Sequence, residues 1–314
     1  MRNKLRKTVS MNSFAVVTDS AADMPLELAE KYGIRIVPLH VNIDGQDKRD
    51  AYDIRISEFM DVLERGGDLP ITSAPAPADF LATYKELVDE GYTQILSIHL
   101  SSKLSSTIKT AQGIADVLPK GLRLEVVDSL SATAALSAMC LEAACIARAG
   151  GTIDQALERI DAIRREAKIY FIPNTLANLV KGGRASKLSG LAASLLDIKV
   201  IIEVTGDGRV DMVKKTKGMK SAVKWIAGQM AARSHERGPL VYYKLHTRGK
   251  HAFNLLDEAV AASGVEGRCL TVGTIGPVIA THVGIGAVGL FCMPAALHND
   301  ALDRDIAAYL TDEY

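Results

Sequence analysis

The densest run of side chains able to do chemistry is Ser101-Ser102-Lys103-Leu104-Ser105-Ser106-Thr107, where all but two residues carry hydroxyls. It follows an apolar stretch, Gln94 to Leu100, that reads as a strand, and it opens a helix. At the carboxyl end of a parallel strand, hydroxyls and free backbone N–H groups suit an anion. Plain helix capping would explain one hydroxyl but not the whole run. Thr72-Ser73-Ala74-Pro75 is a second hydroxyl pair, in which Pro75 restricts the backbone before it; a turn capping the helix near Asp79 is the alternative. Lys181-Gly182-Gly183-Arg184-Ala185-Ser186-Lys187 joins glycines to three cations, either for a phosphate or an acidic partner surface or as a helix stop with a solvated cationic end. Asp19-Ser20 is a metal or phosphate contact or an N-cap arrangement. His282 is a core histidine or a ligand contact.

Other chemistries find no support. Gly284-Ile285-Gly286-Ala287-Val288-Gly289 has the spacing of a dinucleotide loop, but too little chain follows it for a βαβ pair, so close backbone approach is the better reading. There is no G-x-S-x-G elbow, P-loop, H-E-x-x-H or zinc-spaced Cys/His cluster. A serine hydrolase or acyltransferase using Ser102 or Ser105 with His282 stays open, because triads are not local in sequence. Lys plus Arg and Asp plus Glu balance at 37 each, which gives no electrostatic footprint for nucleic acid.

The 314 residues, 48% hydrophobic and 24% charged, suffice for two domains with sizeable cores. Cys140, Cys145, Cys269 and Cys292 form no C-x-x-C pair and sit among apolar neighbours, as buried free thiols in a reducing cytoplasm would. Cys269 to Asn299 lacks Asp, Glu, Lys and Arg, but its glycines and prolines break a membrane span; two buried strands around a glycine-rich turn are expected instead. Residues 1–13 read as a frayed tail or leader.

These groups need a scaffold. Strands are expected at Phe14–Thr18, Ile34–Ile43, Gln94–Leu100 and Leu124–Asp128. Helices are expected after Asp23 as cap, at Ser57–Arg65, Asp79–Glu90 and Ser131–Arg148, and after Thr152, which has capping-box spacing to Gln155. Leu69–Ala78 reads as loop. This alternation predicts an α/β fold: residues 14–165 form a three-layer α/β/α domain on a parallel sheet. Beyond it, Lys199–Val204 and Arg209–Lys214 flank Thr205-Gly206-Asp207-Gly208 as a hairpin. Helices at Lys220–Arg233 and Phe253–Ala262, a strand at Leu240–His246 and a final strand pair follow. Residues 166–314 are therefore expected to form a second α/β domain with a mixed or antiparallel sheet.

Taken in order from Phe14, the chain resembles the DegV family, the fatty-acid-binding subunits of bacterial fatty acid kinase. The resemblance is carried by Val17-Thr18-Asp19-Ser20 with Asp23-Met24-Pro25, Thr72-Ser73-Ala74-Pro75 and Leu100-Ser101-Ser102-Lys103-Leu104-Ser105-Ser106-Thr107. It continues through Val127-Asp128-Ser129, Lys181-Gly182-Gly183-Arg184, Asp197-Ile198-Lys199, Gly206-Asp207-Gly208 and His282-Val283-Gly284-Ile285-Gly286. It implies two α/β domains with an acyl chain buried between them and no cofactor, metal or catalytic residue of the chain's own. It further implies a carboxylate held by Thr72 or Ser73, by Ser102 or Ser105, and near His282. Arg184, Asp19 and Ser20 would lie near the site or face the kinase. A separate ATP-dependent fatty acid kinase subunit would phosphorylate the carboxyl group, and the chain would act in the cytoplasm with no integral membrane segment; a lipid-sensing regulator is a further alternative. The chain departs from the family pattern at Ser106 in place of Gly and at Ile285 and Val200 in place of Pro. The apolar stretches Leu191–Leu196 and Val278–Phe291 would supply the tunnel wall.

Overall fold

The computed structural model describes residues 12–185 and 198–309, and the statements below concern those residues. The first half builds β1 (Ala15–Asp19), α1 (Leu26–Tyr32), β2 (Ile34–Val37), β3 (His40–Ile43), β4 (Gln46–Arg49) and α2 (Ile56–Arg65). There follow β5 (Ile71–Ser73), α3 (Pro77–Asp89), β6 (Gln94–His99), α4 (Thr107–Gln112), β7 (Arg123–Asp128), α5 (Thr133–Arg148) and α6 (Ile153–Glu166). The second half builds β8 (Lys168–Ile172), α7 (Ala177–Lys181), β9 (Ile198–Val204), β10 (Val210–Lys217), α8 (Gly218–Arg237) and β11 (Leu240–His246). It closes with α9 (Lys250–Ala261), β12 (Gly267–Thr274), α10 (Pro277–Val283), β13 (Val288–Pro294) and α11 (Asp303–Tyr309).

The fold is α/β with one parallel and one mixed sheet. Strands β2, β1, β6 and β7 lie side by side in that order, all parallel. Their residues alternate between faces as the pleat requires: Ala15, Val17 and Ile95 pack under α3, while Val16, Leu96 and Ile98 pack toward α5. The second sheet runs β10-β9-β8-β13-β11-β12, with only β11 and β12 parallel. It too divides: Tyr170 and Ile172 join α8 and α9, and Ile169 and Phe171 face α5 and the first sheet. The central helix α5 therefore lies between two sheets and is buried on nearly all sides. Its alanines let both sheets approach closely, which explains why it is apolar all round rather than striped.

Several expectations are corrected. The strand expected over Ile34–Ile43 breaks at Pro38, which lacks a backbone donor, and its second half enters a small sheet ordered β4-β3-β5. Leu69–Ala78 is not all loop. Its prolines hold the chain extended, and β5 pairs with β3 as an edge strand, where a missing donor is tolerated. Asp23 does not cap α1: Pro25 occupies that position, and Asp23 adopts φ 49° with its carboxyl buried beside Gly276. Between Cys269 and Asn299 the two expected strands are present as β12 and β13, but α10 as well as the glycine-rich turn joins them, and they flank β11. Cys269 is exposed rather than buried. The C-terminal helix α11 returns to the first half, where Tyr32 Oη donates to Asp305 Oδ2 at 2.7 Å.

Candidate functional site

The segments after β2, β6 and β7 face the second sheet, and a mostly apolar cavity lies between them. Its empty space is about 860 Å³, open mouth included. Leu39 and Leu100 line it from the first half; Phe171, Leu245 and Gly289 line it from the second sheet. Gly289 on β13 faces neighbouring β8 closely, since a Cβ there would stand 3.1 Å from Tyr170 O.

Polar groups gather at one end. Thr72 comes from β5, pinned opposite Val41 of β3. His282 comes from the last turn of α10, which Gly284 ends at φ 75°. Asn178 Nδ2 donates to Thr281 O at 3.2 Å, and Thr247 Oγ1 donates to Gly284 O at 2.6 Å and accepts from Ala287 N at 2.9 Å. Held this way, His282 Nε2 meets Thr72 Oγ1 at 2.9 Å. Nδ1 of the same ring is buried above Gly182 and has no hydrogen-bonding partner among the described residues. Burial, and then the nearby Arg184 charge, push the imidazole down to about 4, so it is neutral at ordinary pH. Arg184 donates to Leu104 O at 3.1 Å and to Gly182 O at 2.6 Å, and burial lowers its own pKa.

Thr72, Ser73, Ser105, His282 and Arg184 all line the cavity. Ser102 does not. It is exposed, and its backbone amide is drawn to Asp128 Oδ1 at 3.2 Å, which turns the residue outward. Asp19 and Ser20 do not line it either, and both are buried away from any partner surface. They act behind the wall: Asp19 Oδ2 accepts from Leu100 N at 3.0 Å, and Ser20 Oγ accepts from Leu39 N at 3.0 Å. Among the described residues no hydrogen bond joins Ser102 or Ser105 to His282. Ser105 Oγ pairs with Thr107 Oγ1 at 2.9 Å, and no carboxylate orients the His282 ring among the described residues. A Ser97–His99–Asp19 chain does exist, at 2.7 Å and 2.9 Å, but all three residues are 0% exposed and Ser97 also pairs with Tyr84 Oη. This is a sealed core network, not a nucleophile open to substrate. Leu191–Leu196 lies outside the described residues. Of the other expected wall stretch, Val278, Ile279, Val283 and Gly289 reach the cavity.

Residues 13–295 match the family model described as "Uncharacterised protein, DegV family". The chain belongs to the DegV family. It is similar to a DegV domain-containing protein of Streptococcus pyogenes serotype M3, with 33% identity over 278 residues, 88% of this chain and 97% of that protein. Among solved structures, it resembles a DegV family protein from Thermus thermophilus described by its fatty acid binding. That likeness has a TM-score of 0.81 and 32% identity, and covers 90% of this chain and 100% of the other. DegV from Bacillus subtilis, described as a fatty acid binding protein, matches at a TM-score of 0.78 and 28% identity over 90% of this chain and 99% of its own. No helix among the described residues is long and apolar enough to cross a membrane.

Sequence reasoning missed several wall positions, among them Leu39, Leu245 and, on the loop after β7, Ala132 and Thr133. For the last two the signal was present, because they follow β7 at the same sheet edge as the other site loops, but the helix expected from Ser131 absorbed them.

Proposed function

We propose that this DegV family chain binds one long-chain fatty acid in the cavity and presents its carboxyl group to a separate ATP-dependent kinase, which forms the acyl-phosphate. The observation that carries the reading is the Thr72–His282 pair standing in the wall of a mostly apolar cavity. Burying a sixteen-carbon chain offers on the order of 12 kcal/mol gross at about 0.8 per CH₂, part of which ordering the chain offsets. The carboxyl group is the difficult part, since a buried charge without partners is disfavoured by several kcal/mol. Thr72, Ser105 and the neutral His282 supply hydrogen-bonding groups at the cavity wall, with Arg184 adding positive charge beside them. Neutral donors hold the head group without a bidentate arginine clamp, which leaves an oxygen free to attack a nucleotide phosphate. In this reading residues 14–165 supply the hydroxyl-bearing loops, residues 166–314 supply His282, Arg184 and the roof, and the chain works in the cytoplasm with no cofactor of its own.

The test has two stages. Organic extraction of the denatured protein followed by mass spectrometry should yield a long-chain fatty acid, and delipidated protein should take up palmitate. Mixed with ATP and a fatty acid kinase catalytic subunit, the loaded protein should form acyl-phosphate, while neither partner alone should. Failure to bind any fatty acid overturns the carrier reading; binding without acyl-phosphate formation leaves a lipid sensor.

A further inference from the structure

The cavity has a second polar end. Helix α5 starts at Thr133, directly after the loop leaving β7, and Ala132 and Thr133 both line the cavity. No side chain caps this sixteen-residue helix, whose N-cap is Ala132. Its first-turn N–H groups have no intrahelical acceptor, and its dipole favours an electron-rich atom there. An independent observation points the same way. Thr133 is 7% exposed, yet its Oγ1 is buried with no hydrogen-bonding partner among the described residues. The residue also holds φ 50°, a strained conformation for a β-branched side chain.

Thr133 and Thr72 belong to opposite margins of the parallel sheet. Val41, paired with Thr72, follows β2 at one margin, and Thr133 follows β7 at the other. Three strand spacings separate the margins, roughly 14 Å. The roof agrees: the tip of the β9–β10 hairpin is tied down by Ser101 Oγ donating to Gly208 O at 2.7 Å, and Val204 and Val210 reach the cavity from that hairpin.

Resting on the fatty-acid reading above, we infer that the α5 end of the cavity is a second polar subsite, where the Thr133 hydroxyl and the first-turn amides hold an alcohol on the distal half of the acyl chain. The ligand class is a hydroxylated long-chain fatty acid. Threonine can donate to and accept from such an alcohol. A plain methylene leaves the buried hydroxyl unpaired, and a site built to hydrogen-bond a substrate hydroxyl discriminates against the analogue lacking it.

The test titrates delipidated protein with stearic acid, stearic acid hydroxylated mid-chain, and ω-hydroxystearic acid, by displacement of a fluorescent fatty acid. One hydroxylated isomer should bind about fivefold tighter than stearic acid. That preference, read as the ratio of the two affinities within one variant, should vanish in both Thr133→Val and Thr133→Gly. Glycine adopts the left-handed backbone without strain, so Thr133→Gly decides the matter if the valine variant does not fold. Stearic acid binding as well as or better than both isomers, or a preference that survives Thr133→Gly, overturns the subsite and leaves the carrier reading standing. Protein that binds none of the three overturns both.

Discussion

Thr72 Oγ1 and His282 Nε2 lie 2.9 Å apart although 210 residues of chain separate them. One comes from an edge strand of the small sheet and the other from a helix that follows the second sheet's edge strand. The pair thus forms only when both halves of the chain are folded against each other, and this makes it a direct probe of the proposed head-group site.

Replacing Thr72 with Val keeps the shape and removes the hydroxyl. Palmitate affinity should fall about five- to tenfold, the worth of a buried hydrogen bond to a carboxyl group. Ser102→Ala should leave affinity unchanged, because Ser102 faces away from the cavity. Fluorescence displacement on delipidated protein measures both. Normal binding by Thr72→Val would remove that residue from the head-group site.

Gly182 is a spacer for the imidazole. Its φ of −71° suits any residue, but a Cβ there would collide with His282 Nδ1. Gly182→Ala should push the ring off Thr72 and weaken palmitate binding as much as His282→Ala does, with circular dichroism unchanged. A Gly182→Ala protein that binds like the wild type would show the ring free to relocate.

Stability should depend on pH through a buried carboxyl pair. Burial holds Asp50 at about 7 against an unfolded value of 3.8, and Asp23 is raised in the same direction. The folded state keeps these protons longer than the unfolded chain. Their stabilising share is therefore full below about pH 4 and lost as pH rises through about 7. His282 acts oppositely: its folded value of about 4 lies below 6.5, so its share is present above 6.5 and lost as pH falls through about 4. Comparing wild type with Asp50→Asn by urea unfolding isolates the first term. The wild type should lose about 3 kcal/mol relative to the variant between roughly pH 5 and pH 8; parallel curves would contradict the assignment.

Asp19 is a structural residue. It accepts from Ala21 N, Leu100 N and His99, and its removal strands these buried donors. Asp19→Ala should destabilise by roughly 3 kcal/mol, read as a lower urea midpoint. Because Ser97 is sealed beside His99, a serine-directed phosphonate should not label the native protein; labelling at Ser97 or Ser105 would reopen the hydrolase reading.

Much of this protein was legible in one dimension. The short apolar runs of β1 and β6 and the capping box of Thr152 and Gln155 mark their elements, because such signals depend on residues a few positions apart. The hydroxyl-rich loops after the parallel strands marked the sheet edge that faces the cavity. Tertiary structure alone decided which hydroxyls turn inward. Asp128 draws Ser102 outward while Ser105, on the same loop, reaches the cavity. It also decided that Thr72 meets His282, that Asp19 supports the wall rather than forming it, and that β12 and β13 flank β11. Each of these outcomes depends on partners tens to hundreds of residues away, and a local pattern carries no information about such a partner until the chain has closed on itself.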